Sequence, residues 1–163
     1  MHEELQQDCI PHGNLKSSNI LLDKNMEPCI TEYGLMAADN PDHRQENHNS
    51  VFKTDVYAFG VILLELLTGQ TVLNNGLDLA SRVLAVVREE WTVEVFDKNL
   101  LREGASEEKL VNLLQVAIRC VNESLEVRPS MKQAALAISA IRDDDERSID
   151  VSDLSTTRSF VGI

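Results

Sequence analysis

The feature that most constrains the fold is one long apolar stretch, "TDVYAFGVILLELLTG", at residues 54–69. Drawn as a helix, it carries apolar side chains around almost its whole circumference, which is typical of a helix buried on every side. Thr54 or Asp55 is predicted to cap its first turn, and Gly69 is predicted to end it. Because such a helix needs other elements around it, the rest of the chain is predicted to pack against it.

The remaining sequence predicts a helical shell and one small hairpin. A stripe at helical spacing comprises Leu79, Val83, Val86 and Val87. Another helix is predicted to begin after Ser106, an N-cap candidate followed by acids, and a further one near Pro129. Upstream, "NILLD" and "PCIT" flank a polar turn, which predicts a β-hairpin. The predicted fold class is therefore mainly α with one β-hairpin.

The charge of the chain disfavours two classes of partner. The 163 residues carry a net charge of −12 and have an isoelectric point near 4.7, whereas nucleic acids and anionic membranes attract surfaces rich in Lys and Arg. The sequence does not open with a signal peptide, and its longest apolar run is shorter than the about 20 residues that span a bilayer. We therefore expect no nucleic-acid partner and no transmembrane segment in this chain.

Cysteine usage indicates a reducing compartment. The three cysteines, Cys9, Cys29 and Cys120, are odd in number and widely spaced, so a disulfide framework is not expected. Each lies in an apolar neighbourhood, and core packing is therefore predicted for all three.

Two segments lack apolar periodicity. Residues 37–50, "AADNPDHRQENHNS", are polar and turn-forming and are predicted to form a loop. His43, His48 and Asp42 occur there without the spacing of metal ligands, so no metal site is predicted. Residues 143–163 are acidic and rich in Ser and Thr, which predicts a disordered tail after a folded domain at residues 1–142.

Several segments, taken in order, resemble the C-terminal lobe of a eukaryotic protein kinase. "HGNLKSSNILLD" resembles the catalytic loop H-R-D-L-K-x-x-N, and "TEYGL" lies where the metal-binding D-F-G occurs. "KTDVYAFGVILLELLTG" and "RPSM" resemble the buried central helix of that lobe and the Arg-bearing segment near its end. "EEWTVEVFD" and "AIRCVNESLEVRPSM" resemble plant leucine-rich-repeat receptor-like kinases, particularly their inactive branch. The resemblance covers residues 1–142 and implies a kinase-like C-lobe without the N-terminal lobe.

The resemblance implies that the catalytic base is missing. When the sequence is aligned on His12, Lys16 and Asn19, the position of the base holds Asn14. A neutral amide can hold a hydroxyl group but cannot accept its proton near neutral pH. Gly13 replaces the motif arginine, which in the family contacts a phosphate of the activation loop. Asn14 is thus interpreted as a degenerate catalytic position.

The resemblance also implies that the nucleotide positions are partly kept. Glu32 stands at the D-F-G aspartate, and its extra methylene moves the carboxylate by about one bond length, whereas Mg²⁺ is strict about geometry. Lys16 and Asn19 still match the family, so part of a nucleotide-facing surface is expected to survive. The sequence contains no G-x-G-x-x-G and no V-A-I-K-like segment. No cofactor is therefore predicted for this chain, and ATP with Mg²⁺ is implied by the family only.

Three further residues receive structural roles from the resemblance. His12 is interpreted as a packing residue, and Asp55 as an acid that caps the central helix and braces the loop backbone. Arg128 matches an arginine that pairs with the glutamate of an A-P-E motif, which this sequence lacks. Arg128 is thus predicted either to lack a partner or to pair with another acid, for which Asp42 and Glu46 are the candidates.

Three functions follow from these features. The first is a pseudokinase that serves as a signalling scaffold by binding protein partners, with other receptor-like kinases among the candidates. The second is slow phosphate transfer from ATP in a full-length parent, with Lys16, Asn19 and Glu32 as the site. The third is a truncated product without a function of its own, which the uncapped helical pattern "MHEELQQD" at the start favours. The resemblance implies the cytoplasmic side, with plasma-membrane attachment if the chain is part of a full-length receptor.

Overall fold

The computed structural model describes residues 11–33, 48–72, 77–89 and 92–142. Two antiparallel strands, β1 (Ile20–Leu22) and β2 (Pro28–Ile30), precede the helices α1 (His48–Thr68), α2 (Leu77–Arg88), α3 (Lys98–Arg102) and α4 (Glu107–Cys120). A further helix, α5, spans residues 131–142, and short 3-10 turns lie at Ser17–Asn19 and Thr92–Val95. The predicted fold class, mainly α with one β-hairpin, is confirmed. Within the described ranges no helix is long and apolar enough to cross a membrane.

Helix α1 forms the centre of the fold. Leu64 and Leu67 are 0% and 1% exposed, and α4 and α2 pack against this helix. Gly60 lets α4 approach closely, because a Cβ at this position would lie 2.6 Å from the Cβ of Cys120. The prediction that α1 is buried on every side is wrong at Leu66, which is 65% exposed.

Helix α1 also begins earlier than the sequence predicts. Thr54 and Asp55 are predicted to cap its first turn, whereas the helix starts at His48, inside the segment predicted to be a loop. The sequence at residues 48–50 is polar, so hydrophobic periodicity does not detect the first turn of the helix. As a result Asp55 lies within the helix, and its carboxylate is available for contacts with other segments.

Gly69 ends α1, as predicted. Its φ is +67°, the left-handed conformation that glycine adopts most readily, and its N–H donates to the carbonyl of Glu65 at 2.9 Å. A Cβ on Gly69 would lie only 2.5 Å from Oδ2 of Asp97. Asp97 caps α3, because its Oδ1 accepts the N–H of Asn99 at 2.9 Å. Glycine at this position therefore allows both the end of α1 and the approach of α3.

Helix α2 buries the apolar stripe that the sequence predicts for it. Leu79 and Val83 of α2 are 2% and 4% exposed, and Val86 and Val87 pack partly buried against the same core. The stripe predicted for this helix is therefore confirmed.

The caps of the last two helices differ in detail from the prediction. Ser106 is the N-cap of α4, as predicted, but its side chain accepts no hydrogen bond from the helix. Before α5, Oγ of Ser130 accepts the N–H of Gln133 at 3.2 Å, and the N–H of Ser130 donates to Oε1 of Gln133 at 2.8 Å. This reciprocal capping box, just after Pro129, was not part of the sequence prediction.

The hairpin is present where the sequence predicts it. The strands pair residue by residue as Ile20 with Ile30, Leu21 with Cys29, and Leu22 with Pro28. In the turn, Oδ1 of Asp23 accepts the N–H groups of Asn25 and Glu27 at 2.8 and 2.9 Å. One aspartate thereby closes the connection between the strands.

The cysteines do not share one environment. Cys120 is 0% exposed in the core, which confirms the predicted packing, whereas Cys29 is exposed and the prediction for it is wrong. Cys29 lies in β2, whose three residues are all exposed, opposite Leu21, which is itself 57% exposed. An apolar sequence does not bury a strand of an isolated two-stranded sheet, because burial requires a covering element. Cys9 lies outside the described residues.

Candidate functional site in the loop of residues 12–19

A buried carboxylate holds the loop of residues 12–19 against α1. Oδ2 of Asp55 accepts the backbone N–H of His12 at 2.7 Å, and Oδ1 accepts that of Gly13 at 2.9 Å. Asp55 is 2% exposed, and hydrogen bonds from backbone N–H groups to a charged acceptor are among the stronger ones in proteins. The contact between Asp55 and the loop backbone, which the family resemblance implies, is therefore present in the structure.

His12 is enclosed beneath this loop. It is 2% exposed, and its ring packs edge-on against that of Tyr33, with 5.1 Å between the centroids. Its Nδ1 accepts the N–H of Asn14 at 3.2 Å, which assigns the proton of the neutral ring to Nε2. Within the described residues, Nε2 has no hydrogen-bond partner. These contacts are those of a packing residue that also shapes the loop.

Asn19 ties the loop to the hairpin. It is 7% exposed, and its side-chain amide nitrogen donates to the carbonyl of Asn14 at 2.9 Å. Its own carbonyl accepts both the N–H and the hydroxyl of Thr31, at 2.8 and 3.0 Å. The amide that the family resemblance assigns to a metal thus has a structural contact within the loop.

Asn14 and Lys16 border an open cleft of about 1190 Å³. The loop forms one wall of the cleft, and α1 forms the other through residues that include Tyr57, Val61 and Glu65. Lys16 is exposed and Asn14 is half-buried. The residue Asn14 therefore borders a space large enough for a peptide or nucleotide segment.

Glu32 follows β2 and is not among the residues that line this cleft. It is exposed and has a φ of 62°, an uncommon conformation for a residue other than glycine. Beside it, burial raises the pKa of Tyr33, and the negative charge of Asp55 adds to that increase. No group of three or more His, Cys, Asp or Glu side chains in the described ranges could hold a metal ion.

Arg128 is held by carbonyl groups and an aromatic ring. Its Nε donates to the carbonyl of Asn122 at 2.6 Å, and its Nη1 donates to that of Lys53 at 3.1 Å. The guanidinium carbon lies 4.9 Å from the centroid of the Tyr57 ring, a cation–π contact. Burial lowers the pKa of Arg128, and the contact with Tyr57 opposes that decrease.

The first alternative predicted for Arg128, that it lacks a partner, is therefore wrong. The second alternative, pairing with Asp42 or Glu46, concerns residues outside the described ranges and stays a prediction. The tail at residues 143–163 and the side chains of His43 and His48 also lie outside them.

Two residues of this region were missed by the sequence reasoning. Glu65 is 7% exposed, and its Oε1 accepts the N–H of Val72 at 2.7 Å, which fixes the chain after α1. Tyr57 provides the ring beneath Arg128, and its hydroxyl is buried without a hydrogen-bond partner among the described residues. A signal for Glu65 was available, since a single carboxylate inside an apolar run must find a donor.

Comparisons with known proteins agree with this geometry. No family model matches the chain. It is 36% identical over 174 residues to the leucine-rich repeat receptor-like protein kinase PXC1 of Arabidopsis thaliana, a match of 87% of this chain and 26% of that protein. It is 41% identical over 138 residues to a probable inactive receptor kinase of the same plant, which covers 74% of this chain and 22% of that protein.

A solved structure agrees as well. The pseudokinase domain of BIR2, an immune regulator of the RLK/Pelle family, superposes with a TM-score of 0.72 and 29% identity, over 83% of this chain and 46% of that one. The chain spans about a quarter of the length of the two Arabidopsis relatives.

Proposed function

Because the chain belongs to the plant leucine-rich-repeat receptor-like kinases, as part of their kinase domain, we propose that it acts as a pseudokinase. In this proposal it presents a kinase-like surface to protein partners and does not transfer phosphate. The domain at residues 1–142, the tail at residues 143–163 and the membrane attachment of a longer parent stay predictions.

One observation carries the proposal: the loop keeps its framework without its base. Asp55 and Asn19 bind the loop backbone through the contacts described above, so the segment keeps a defined shape. At the position of the base, however, Asn14 offers an amide, which has no useful basicity. A loop that keeps a defined shape and has no base suits a binding surface.

The described residues do not fit Mg²⁺. The side-chain nitrogen of Asn19 donates to the Asn14 carbonyl, which leaves the side-chain oxygen as the atom that would ligate a metal, whereas the carboxylate of Glu32 lies on an exposed turn. Mg²⁺ demands near-ideal octahedral geometry from its oxygen ligands, and in the described ranges no group of three or more His, Cys, Asp or Glu side chains could hold a metal ion. No phosphate-transfer step is therefore derived for this chain.

The second function, slow phosphate transfer in a longer parent, is favoured by the retention of Lys16 and Asn19. Both functions are tested by measuring the transfer of labelled phosphate from ATP in the native protein that contains this chain, as wild type and as Asn14→Asp. The pseudokinase proposal expects background transfer from both. Measurable wild-type transfer that rises in Asn14→Asp would establish the second function instead.

A further inference from the structure

A separate cavity of about 450 Å³ lies between α1, α4, α5 and the segment of residues 126–129. Its lining contains three cationic residues, Lys53, Arg119 and Arg128, and one acidic residue, Glu126. None of the loop residues 12–19 borders it. Because the whole chain carries a net charge of −12, this lining is a local exception to an acidic protein, and it attracts anions.

Two of the cations are fixed in place by contacts with each other's backbone. Nζ of Lys53 donates to the carbonyl of Arg128 and, at 3.4 Å, to that of Pro129. Nη1 of Arg128 donates in return to the carbonyl of Lys53 at 3.1 Å. These bonds leave a third donor on the ammonium group and further donors on the guanidinium group. They also hold two positive charges near one another, and a bound anion would reduce the repulsion between these charges.

The third cation and the apolar part of the lining complete the site. Arg119 lies in the last turn of α4 and is exposed. The apolar lining residues are Val116, Val127, Pro129, Ala134 and Ala137. The cavity thus combines cationic donors with an apolar wall, and it is larger than a single phosphate or carboxylate group.

We propose that this cavity binds an anionic side chain of a protein partner, a phosphoserine, phosphothreonine, aspartate or glutamate, next to an apolar side chain. Arg119 and Lys53 contact the oxyanion, because guanidinium and ammonium groups are the preferred donors to phosphate and carboxylate oxygens. The adjoining apolar side chain packs on the wall formed by residues such as Val127 and Ala137. The inference adds a partner chemistry to the proposed function, and it depends on no residue of the catalytic-type loop.

The test uses the full chain and three short peptides, Gly-Leu-Xaa-Gly-Gly, with phosphoserine, glutamate or serine as Xaa. Calorimetric titration is expected to detect binding of the phosphoserine or glutamate peptide and not of the serine peptide. Tighter binding of the phosphoserine peptide identifies a phosphorylated partner, and equal binding identifies an acidic one. Arg119→Gln is expected to weaken binding about tenfold.

The matched control is Arg102→Gln, which removes another exposed arginine from the last turn of a helix, α3, outside the cavity. It is expected to leave binding unchanged. Equal weakening by both variants, or equal binding of the serine peptide, would overturn the proposal, as would the absence of binding to any peptide. Thermal unfolding of both variants checks that they remain folded. A negative result here leaves the phosphate-transfer assay of Asn14→Asp unaffected, so the two proposals fail separately.

Discussion

Asp55 accepts the backbone N–H groups of His12 and Gly13 with its two carboxylate oxygens, at 2.7 and 2.9 Å. One side chain within α1 thereby determines where the loop of residues 12–19 begins. Since this loop contains Asn14, the position of that amide depends on a contact between residues that lie far apart in sequence.

Asp55→Asn is expected to destabilise the protein by about 1–3 kcal/mol, because the amide replaces one acceptor with a donor that faces a buried N–H. Urea unfolding followed by circular dichroism measures the change. The control is Glu89→Gln, the same kind of substitution at an exposed position, which should change the stability little. Equal losses in the two variants would contradict a specific contact of Asp55 with the loop.

Gly60→Ala is expected to lower the free energy of unfolding by about 1–3 kcal/mol, because the alanine Cβ would lie 2.6 Å from Cys120 and 2.8 Å from Val121. This loss is expected although alanine is a better helix former than glycine. Thermal unfolding measures the loss. In Gly104→Ala the new Cβ has no neighbour within 4 Å, so only the positive φ of +84° is strained, and a smaller loss is expected. A Gly60→Ala protein more stable than wild type would refute close packing of α1 on α4.

Tyr57→Phe is expected to leave the stability unchanged or to raise it, because it removes a buried hydroxyl that has no partner among the described residues. Tyr57→Phe keeps the aromatic ring beneath Arg128, whereas Tyr57→Leu removes it. The Tyr57→Leu substitution should therefore lower the free energy of unfolding by about 0.5–2 kcal/mol. Chemical denaturation of the two variants separates these effects. A larger loss in Tyr57→Phe than in Tyr57→Leu would mean that the hydroxyl, and not the ring, is the important group.

The thiols of Cys29 and Cys120 are expected to react at different rates. Burial raises the pKa of Cys120 to about 11, so its thiolate is scarce at pH 8, whereas Cys29 is exposed. Alkylation followed by peptide mass spectrometry should label Cys29 first and Cys120 only after unfolding.

The raised pKa of Cys120 also makes the stability of the fold depend on pH. The folded-state pKa of Cys120 is raised above its ordinary value of 9.0 to about 11, so the unfolded chain loses this proton at lower pH than the folded one. The contribution of Cys120 to the free energy of unfolding is fully present below pH 9.0 and is lost as the pH rises toward about 11. Unfolding experiments across this window should detect the loss in wild type, and Cys120→Ala should reduce it.

The apolar hairpin is expected to promote self-association of the isolated chain. Leu21, Leu22 and Met26 are 57%, 56% and 70% exposed, and adjacent exposed apolar side chains favour aggregation. The double substitution Leu21→Gln and Leu22→Gln should increase the monomer fraction in size-exclusion chromatography with light scattering. Leu136→Gln, at a 62% exposed position of α5, is the control and should have less effect, and a monodisperse wild-type protein would contradict the prediction.

The sequence by itself determined the features that depend on short-range chemistry. The apolar run predicted the core of α1, Gly69 predicted its end, and the stripe from Leu79 to Val87 predicted the buried face of α2. Two short apolar runs around a polar turn predicted the hairpin. That Asn14 cannot act as a general base also needed no structure, because an amide lacks basicity in any fold.

Only the tertiary structure decided the features that depend on contacts between distant segments. The family resemblance implied that Asp55 caps the helix and braces the loop backbone, but only the structure shows which two loop N–H groups its carboxylate accepts and that α1 starts earlier, at His48. Arg128 contacts the carbonyls of Asn122 and Lys53 and the ring of Tyr57, which no local pattern encodes. Cys29 is exposed although its neighbours are apolar, because burial depends on which element covers a strand and not on the strand's own composition.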